Sequence, residues 1–488
     1  MKSRSRDILF IFANSVEFRR VLCYTYCEVI QVPISYVKLW KTLVDKGMSK
    51  TDLKEQANIS TNVLAKLGKN EPISFESIEK ICHTLMCDVG DIMEITANPT
   101  NDIPAPAVCD NGVEIYDPSY DRLKEIDWSF SNCHQDSITL LHSYPARFIE
   151  ELPRQLIAVL GCPENSIVLD PFCGSGTTLV EAQRAGFHSI GIDLNPIACL
   201  ISRVKTNSLD DSFLEFANQI ADRAENRYLN DYVSIPEIPN LDHWFKVDIQ
   251  KALSAIMAEI SAANITEETK LAMQFSLSSI IVRVSNQESD TRYAAVDKRV
   301  VAPDVFKFFC SACKKLALAK QETAFDTPVT VIENNILAVS ADDIGENVGL
   351  VITSPPYPNA YEYWLYHKYR MWWLGYDPIS VRSYEIGARP HYQKKNGQTE
   401  QDFEEQMSQV FSLFDHVVIE GGHICIVIGR SIIRGREIDN AEMMTRIAKS
   451  HGYTPIAKIP REIASTRKSF NLSYGKITTE HIMIYRRG

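Results

Sequence analysis

The segment at residues 166–193 constrains the fold of this chain more than any other. An apolar run ends in Asp170 and leads through a glycine-containing turn at 171–178 into a helix-like stretch, and a second apolar run ends in Asp193. Strand, turn, helix and strand in this order predict a unit of a parallel α/β sheet, with the turn at the carboxyl end of its strand. In that position, backbone atoms of the turn come close to a bound ligand.

The residue types in this segment favour a nucleoside-containing ligand. Gly174 and Gly176 have no Cβ that blocks a close approach to the backbone. The carboxylate of Asp193 can accept hydrogen bonds from both hydroxyls of a ribose. A glycine pair is also compatible with a nicotinamide dinucleotide fold, so the pair alone does not separate the two classes.

The full string VLDPFCGSGTTLVEAQRAGFHSIGIDLNP resembles the S-adenosylmethionine motif of the amino-methyltransferases that act on DNA. Upstream, HSYPARFIEELPRQLI at 142–157 resembles the helix that closes over the methionine end of the cofactor in that family. The resemblance implies S-adenosylmethionine as the cofactor and disfavours a dinucleotide. The cofactor-binding residues it implies are Tyr144, Pro145, Asp170, Pro171, Phe172, Gly174, Ser175, Gly176, Thr177 and Asp193, together with Asn335 at the place of an adenine contact that is more commonly Asp.

A second motif, Ser354-Pro355-Pro356-Tyr357, follows the short apolar strand 349–352. Two successive prolines hold the backbone extended without amide hydrogens, so their carbonyls can point into a pocket. The tetrapeptide resembles the Asp/Asn/Ser-Pro-Pro-Tyr motif of amino-methyltransferases, which implies that Ser354, Pro355, Pro356 and Tyr357 are catalytic. A C5-cytosine enzyme would need a nucleophilic cysteine after a proline here, and none is present.

The tetrapeptide suits chemistry on an aromatic exocyclic amine, whose lone pair is conjugated into its ring. If the Ser354 hydroxyl and the Pro355 carbonyl accept the two amine hydrogens, the nitrogen moves toward a tetrahedral form with a free lone pair. Tyr357 would then stack on the flipped-out base. The serine form of the motif is associated mainly with cytosine N4. Adenine N6 stays an alternative, because here the cofactor motif precedes the catalytic motif, the reverse of the usual order.

Residues 34–95 have the pattern of short amphipathic helices. Ser49 can cap one helix, and a tight turn at 58–60 precedes another. The segment resembles the Cro/repressor-type family of small DNA-binding domains, which implies a recognition helix at 60–67. The side chains that it implies face the major groove are Ser60, Thr61, Asn62 and Lys66. The alternative is an interaction or dimerisation domain without DNA contacts.

These motifs predict an α/β protein with a Rossmann-like methyltransferase doubly wound sheet, a helical insert and a small all-α helix-turn-helix N-terminal domain. The predicted domains are an N-terminal extension (1–33), the helix-turn-helix domain (34–95), a linker (96–129), the catalytic domain (130–204 and 326–488) and a helical insert (205–325).

Three polar or basic segments are candidates for DNA contacts. The insert carries a polar stretch at 285–299 with Gln287 and Arg292, and the loop 381–398 holds Arg389 and Lys394. Such side chains read base edges or bind phosphates. Each segment is equally compatible with a solvated loop. The third, the basic stretch 461–476, is expected to grip phosphates.

Composition limits the class of protein. The 488 residues are 45% hydrophobic, and no run approaches the roughly 20 apolar residues of a membrane span, so we expect a cytoplasmic protein without membrane partners. The net charge of −11 argues against a chain that simply coats nucleic acid. Cys310 and Cys313 have metal-like spacing but no second pair nearby, so we expect buried thiols and no metal site.

The sequence therefore predicts a site-specific DNA methyltransferase that acts on an exocyclic amine, cytosine N4 in the first place, in a restriction-modification or phage-defence setting. Its expected partners are double-stranded DNA and a cognate restriction endonuclease or defence proteins. Two further alternatives stay open. One is an RNA methyltransferase acting on guanine N2, and the other is a DNA-binding transcriptional regulator with an inactive methyltransferase fold.

Overall fold

The structure is a computed structural model. It describes residues 34–46, 48–68, 73–85, 87, 89–95, 112–130, 136–290, 292–321, 327–345, 347–358, 362–394, 396–462 and 479–488. The chain divides into two compact units, Met1–Cys109 and Asp110–Gly488. The predicted N-terminal extension 1–33 and most of the basic stretch 461–476 lie outside the described residues.

The first unit is a small helical domain. Its elements are β1 (Ile34–Ser35), α1 (Val37–Asp45), α2 (Lys50–Gln56), α3 (Thr61–Gly68), α4 (Phe75–Leu85), α5 (Val89–Ile92) and β2 (Glu94–Ile95). Ser49 caps α2 and forms a capping box with Asp52, as its place in the sequence predicts. Ser60 caps α3, the predicted recognition helix, by accepting a hydrogen bond from the amide of Val63.

The second unit alternates strands and helices. From residue 110 to 321 it contains β3 (Glu114–Ile115), a 3₁₀ helix (Pro118–Glu125), α6 (Ser137–Leu140), α7 (Glu151–Leu160), β4 (Ile167–Asp170), α8 (Thr177–Arg184), β5 (Ser189–Asp193), α9 (Pro196–Thr206), α10 (Phe213–Asn230), α11 (Leu241–Trp244), α12 (Val247–Ala262), α13 (Glu267–Val284), β6 (Gln287–Ser289), β7 (Arg292–Ala295) and α14 (Ala302–Gln321).

The remainder of this unit completes the sheet. It contains β8 (Val329–Glu333), a 3₁₀ helix (Ile336–Ala338), α15 (Ala341–Ile344), β9 (Val348–Thr353), α16 (Tyr363–Trp373), α17 (Pro378–Tyr384), α18 (Arg389–Gln393), α19 (Glu400–Val417), β10 (Val418–Gly429), β11 (Ser431–Ile433), β12 (Arg436–Ile438), α20 (Asn440–Ser450), β13 (Tyr453–Glu462) and β14 (Thr479–Arg487).

Among the described residues, eight strands form one sheet in the order β3-β13-β14-β10-β9-β4-β5-β8. Strands β10, β9, β4, β5 and β8 are parallel neighbours, and β14 is antiparallel to both β10 and β13. The chain runs outward from β4 through β5 to β8, and then returns to β9 on the other side of β4. The carboxyl ends of β4 and β9 therefore flank a topological switch point, the usual ligand position in such sheets.

Helices cover both faces of this sheet, so the predicted doubly wound architecture is confirmed. Every residue of β9 is buried, as expected for a parallel strand between two helical layers. One face packs against α19 and α20 through residues such as Phe411 and Met444. The other packs against α7 and α8 through residues such as Leu156 and Ala182.

The insert between β5 and β8 has its own core. Helices α10, α12, α13 and α14 pack against one another and against α9 and α16. The aromatic residues Trp364, Tyr369 and Trp373 of α16 and Cys313 of α14 are buried in this core. The insert is mainly helical, and the hairpin β6–β7 interrupts the helices.

The predicted linker 96–129 differs from the structure in its second half. Strand β3 pairs with β13 at the edge of the sheet, and Leu123 and Trp128 are buried in the core beneath that edge. A two-residue strand is too short to show an alternating pattern in the sequence, which is why this part resembled a linker. Among the described residues, no helix has the length and apolar character to cross a membrane.

Candidate active site

The two predicted motifs meet at the switch point of the sheet. Asp170 is the last residue of β4, and Thr353 is the last residue of the neighbouring strand β9, immediately before Ser354. The Thr353 hydroxyl donates a 2.7 Å hydrogen bond to the Asp170 carboxylate, which also accepts the amide of Phe172. This contact fixes the start of the glycine turn relative to the start of the tetrapeptide.

Asp193 holds the glycine turn from the adjacent strand. One of its carboxylate oxygens accepts the Gly174 amide at 2.9 Å and the other accepts the Asn195 amide at 2.8 Å. Burial raises the pKa of Asp193 to about 6, although the two backbone hydrogen bonds act in the opposite direction. Each oxygen keeps a further lone pair, so the carboxylate can still accept hydrogen bonds from a ribose.

Two side chains of α9 support the glycine turn from behind. The Ser202 hydroxyl donates to the Gly174 carbonyl, and the Lys205 ammonium donates to the Ser175 carbonyl, both at 2.9 Å. Lys205 is 2% exposed, and burial lowers the pKa of its amine to about 7. The carbonyls of the turn are therefore fixed from behind by α9.

The residues of the turn fit a nucleoside cofactor. Among the described residues, the buried hydroxyls of Ser175 and Thr177 have no hydrogen-bond partner, although buried polar groups are normally paired. A Cβ at Gly176 would lie 2.7 Å from the Ser202 hydroxyl, and φ is +75° there, so this position requires glycine. Free donors at the start of α8 and a turn without side-chain bulk suit the polar groups of such a ligand.

Tyr144 covers the glycine turn. A Cβ at Gly174 would lie 3.1 Å from its ring, and the ring stacks on His367 and Tyr363 with centroids 5.1 and 5.9 Å away. The Tyr144 ring is thus held over the glycine turn by these two aromatic neighbours. Pro145, which follows it, is half-buried.

The phenol of Tyr357, the last residue of the tetrapeptide, is held by a hydrogen bond to another strand of the sheet. It donates a 3.0 Å hydrogen bond to Glu480 of β14. The other Glu480 oxygen accepts from the buried guanidinium of Arg461 at 3.0 Å, and Arg461 also donates to the Trp128 carbonyl. Burial and the Glu480 charge raise the pKa of Tyr357 well above its usual range, so the phenol stays neutral. Pro355 is buried, whereas Ser354 and Pro356 are half-buried.

The loop after α17 packs against the tetrapeptide. Gly387 has φ +75°, and a Cβ there would lie 2.7 Å from the Tyr357 carbonyl. The buried carboxylate of Glu385 accepts the amides of Tyr363 and Trp364 at 2.8 Å and so caps α16. Burial raises the pKa of Glu385 to about 8. This loop therefore fixes both the tetrapeptide and the helix that follows it.

A buried arginine connects the helical insert to the helix that follows the tetrapeptide. The Arg370 guanidinium of α16 donates to the Ser278 carbonyl of α13 at 3.2 Å and pairs with Asp290 in the turn of the β6–β7 hairpin. Asp290 also accepts a hydrogen bond from Ser143, next to Tyr144. Asn335 follows β8, and its side-chain oxygen accepts a hydrogen bond from the Leu337 backbone amide. The backbone amide of the neighbouring Asn334 donates to the Asp193 carbonyl.

The predicted DNA-contacting residues belong to both units of the chain. In the first unit, Ser60 and Thr61 are exposed at the start of α3 and Lys66 is half-buried; the side chain of Asn62 lies outside the description. In the second unit, Lys394 is exposed and Arg389 half-buried. Arg292 begins β7, and its side chain also lies outside the description.

Two expectations for DNA contacts were wrong. Gln287 is 1% exposed and donates to the Ser289 carbonyl within its own hairpin, so it does not face outward. Arg461 is 7% exposed and pairs with Glu480, so it does not grip phosphates. In both cases the polar side chain forms hydrogen bonds inside the protein and is not available to a ligand.

The sequence reasoning missed Thr353, Glu480, Gly387 and Lys205. Thr353 directly precedes the tetrapeptide, so its place at the end of an apolar strand is a signal that could have found it. The other three have no local signal, because their contacts join segments far apart in the chain. Glu480, for example, lies 123 residues after Tyr357.

Two parts of the chain are similar to known proteins. Residues 38–98 match the family of the Cro/C1-type HTH DNA-binding domain. The chain is 26% identical over 240 residues to the Type II methyltransferase M.MvaI from Kocuria varians, which covers 45% of this chain and 53% of the relative. It is 25% identical over 281 residues to the Type II methyltransferase M.BsoBI from Geobacillus stearothermophilus, with 49% and 53% covered. The matched region thus spans about half the length of these relatives.

Among solved structures, the transcriptional regulator VanUg is 48% identical and covers 13% of this chain and 83% of its own, with a TM-score of 0.13. The matches to methyltransferases support the predicted fold and the prediction of S-adenosylmethionine as the cofactor. The chain is therefore similar to Type II methyltransferases over about half of its length, and residues 38–98 match the Cro/C1-type helix-turn-helix DNA-binding domain.

Proposed function

We propose that this chain is an S-adenosylmethionine-dependent DNA methyltransferase that modifies the exocyclic amine of a flipped base, with cytosine N4 as its target. The observation that carries the proposal is the hydrogen bond between Thr353 and Asp170. Through it, the predicted cofactor turn and the predicted catalytic tetrapeptide share one edge of the sheet, as a transfer between two bound molecules requires.

The cofactor is assigned to the glycine turn and its surroundings. Asp193 would accept hydrogen bonds from the ribose hydroxyls, and Ser175 and Thr177 would pair their free hydroxyls with polar groups of the ligand. Asn335 would contact the adenine. Tyr144 would cover the methionine end and exclude water. When bound, S-adenosylmethionine supplies a methyl group activated by a positively charged sulfur.

The tetrapeptide is assigned to the target amine. The Ser354 hydroxyl and the Pro355 carbonyl would accept the two amine hydrogens and so free the nitrogen lone pair. Tyr357 would stack on the base, and its hydrogen bond to Glu480 would hold the ring in place. No side chain needs to form a covalent bond to the substrate.

Serine at the first position of the tetrapeptide is the basis for cytosine N4. A neutral hydroxyl both accepts and donates hydrogen bonds, whereas the carboxylate or amide of the adenine-type motif offers a different acceptor. Adenine N6 is the second candidate, because the order of the two motifs here is the reverse of the usual one.

A restriction-modification setting follows from the relatives, which are Type II methyltransferases. In that setting, double-stranded DNA is the substrate and a cognate restriction endonuclease is the expected partner in the cell. The Cro/C1-type domain would bind DNA separately from the active site, through Ser60, Thr61, Asn62 and Lys66 of its recognition helix.

Transfer of labelled methyl groups tests the proposal. The purified full chain is incubated with methyl-labelled S-adenosylmethionine and either unmodified genomic DNA or total RNA. We expect label in DNA, and at least a hundredfold loss in Ser354→Ala with unchanged cofactor affinity by calorimetry. Ser412→Ala, an exposed serine of α19, is the matched control and retains activity. Label in RNA alone, or cofactor binding without transfer, contradicts the proposal.

A further inference from the structure

A basic hairpin projects from the same edge of the sheet as the tetrapeptide. We call residues 430–438 the arginine hairpin; they include β11 and β12, which pair antiparallel. Strand β10 runs parallel to β9 with Ile426 opposite Thr353, and the Tyr357 hydroxyl lies 3.5 Å from the Val427 carbonyl. The hairpin begins three residues beyond Val427 and forms a separate two-stranded sheet, so it directly follows the end of β10 that lies beside Tyr357.

The hairpin also packs on the loop that backs the tetrapeptide. Its Arg434 guanidinium donates to the carbonyls of Gly397 at 2.9 Å and Lys394 at 3.4 Å. Gly387, which lies on the other side of the short helix α18, packs against the Tyr357 carbonyl. The hairpin, α18 and the residues that flank this helix therefore form a rim beside the tetrapeptide.

The charge of this rim is positive. Arg430, Arg434 and Arg436 are exposed, and Lys394 lies beside them on the loop. Arg430 pairs with Glu437 at 2.5 Å and Arg436 pairs with Glu400 at 3.4 Å, in exposed ion pairs that are weak and readily exchanged. Arg434 donates to backbone carbonyls, which do not neutralise its charge.

The turn of the hairpin is unusual for its sequence. Ile433 pairs with Arg436, so Arg434 and Gly435 form a two-residue turn, with φ +50° and +82°. Positive φ at both positions is a type I′ turn, which strongly favours Asn or Gly at the first position. Arginine there costs about 1 kcal/mol, and its side chain stands at the tip of the hairpin. Ile432, on the outward face, is 44% exposed between the arginines.

We propose that the arginine hairpin binds the backbone of duplex DNA beside the flipped base, with Arg434 as its main phosphate contact. The inference rests on the proposed function and adds the element that holds the substrate. A two-stranded ribbon fits the major groove of B-DNA, and exposed arginines with an apolar neighbour suit phosphates and sugars. Neither the hairpin nor Arg434 belongs to the segments that the sequence indicated for DNA contacts.

The test uses Arg434→Asn in the full chain. Asparagine removes the charge but tolerates positive φ, so the variant should fold at least as well as the wild type. Arg434→Lys retains the charge, and Arg446→Gln removes an exposed arginine on α20 as the matched control. The probe is a random-sequence 30-base-pair duplex in fluorescence anisotropy at several salt concentrations, and unmodified genomic DNA in the transfer assay.

We expect Arg434→Asn to raise the KM for DNA about five- to tenfold and to lower the salt dependence of binding by about one phosphate contact. The KM for S-adenosylmethionine should not change, and Arg434→Lys should restore most of the affinity. If the wild type methylates DNA and Arg434→Asn matches it in both measurements, the inference is wrong while the proposed function stands. A parallel loss of cofactor affinity would overturn it too, because Arg434 would then act by shaping the loop. Failure of the wild type to methylate DNA would instead count against the proposed function.

Discussion

The phenol of Tyr357 donates a 3.0 Å hydrogen bond to Glu480, although 123 residues separate the two in the chain. Glu480 in turn pairs with the buried guanidinium of Arg461. The ring that we assign to base stacking is thus fixed by a carboxylate from the opposite half of the sheet. Its orientation does not depend on the tetrapeptide alone.

Replacing Glu480 tests this anchor. In Glu480→Ala, the Tyr357 ring loses its partner, and we expect kcat to fall roughly ten- to hundredfold because small misplacements near a reacting group are costly. Glu480→Gln keeps an acceptor oxygen and should recover most of the rate. Melting temperatures are recorded in parallel, since Arg461 loses its ion pair with Glu480, and we expect the alanine variant to lose about 3–5 kcal/mol. A lower melting temperature with unchanged kcat would show that Glu480 has only a structural role.

Gly387 gives a second prediction for the tetrapeptide. Gly387→Ala places a Cβ 2.7 Å from the Tyr357 carbonyl at φ +75°, so we expect a loss of about 1–2 kcal/mol in the free energy of unfolding and at least a tenfold lower kcat. Gly375→Ala is the control, because Gly375 has φ +83° but no atom within 4 Å of its Cβ position. It should lose similar stability and keep its activity. Equal activity in the two variants would exclude a role for the Gly387 contact.

Cofactor affinity should depend on pH through Asp193. Burial raises the pKa of this carboxylate to about 6, and only the ionised form has both oxygens free to accept from the ribose hydroxyls. The dissociation constant for S-adenosylmethionine should therefore rise as pH falls below 6, approaching tenfold per pH unit. Asp193→Asn should bind S-adenosylmethionine weakly, and its dissociation constant should depend less on pH. Some pH dependence should remain, because Asp170, whose pKa is also raised to about 6, titrates in both proteins. Calorimetry between pH 5 and 8 measures this, and identical profiles would refute it.

Lys205 makes the free energy of unfolding depend on pH above about pH 7. Burial lowers the pKa of its amine to about 7, so between about pH 7 and the ordinary value of 10.5 the folded state binds fewer protons than the unfolded state. Stability contributed by this group therefore rises as pH increases across that range, by up to roughly 1.4 kcal/mol per pH unit. Lys205→Met should lack this rise. Urea unfolding at pH 7 and pH 9 gives the free energy of unfolding of the two proteins. If this free energy changes equally between the two pH values in both proteins, the assignment is wrong.

The sequence predicted those parts of the site that are contiguous in the chain. The candidate cofactor turn from Asp170 to Thr177 and the candidate catalytic tetrapeptide each consist of adjacent residues, so pattern and resemblance indicated both. The sheet order places the two segments together. The contacts of Glu480, Gly387 and Arg370 arise only when distant segments pack. Gln287 shows the converse error, because a polar stretch was interpreted as a DNA-reading surface while its amide is spent inside a hairpin.

The second half of the predicted linker was assigned wrongly for a related reason. Leu123 and Trp128 anchor residues 112–130 to the sheet edge, but two isolated apolar side chains give no periodicity. The helices of the first unit were predictable because Ser49 and Ser60 cap them through local hydrogen bonds.

The identity of the methylated nucleoside distinguishes transfer to cytosine N4 from the alternatives. DNA treated with the wild type and with Ser354→Ala is digested to nucleosides, which are separated by liquid chromatography and identified by mass spectrometry against standards for N4-methylcytosine, N6-methyladenine and 5-methylcytosine. The two methylcytosines have the same mass, so their retention times distinguish them. We expect N4-methylcytosine, which should be absent from the Ser354→Ala reaction. N6-methyladenine would support transfer to an exocyclic amine and change the target base to adenine. 5-methylcytosine, or DNA without any methylated nucleoside, would contradict the proposed function.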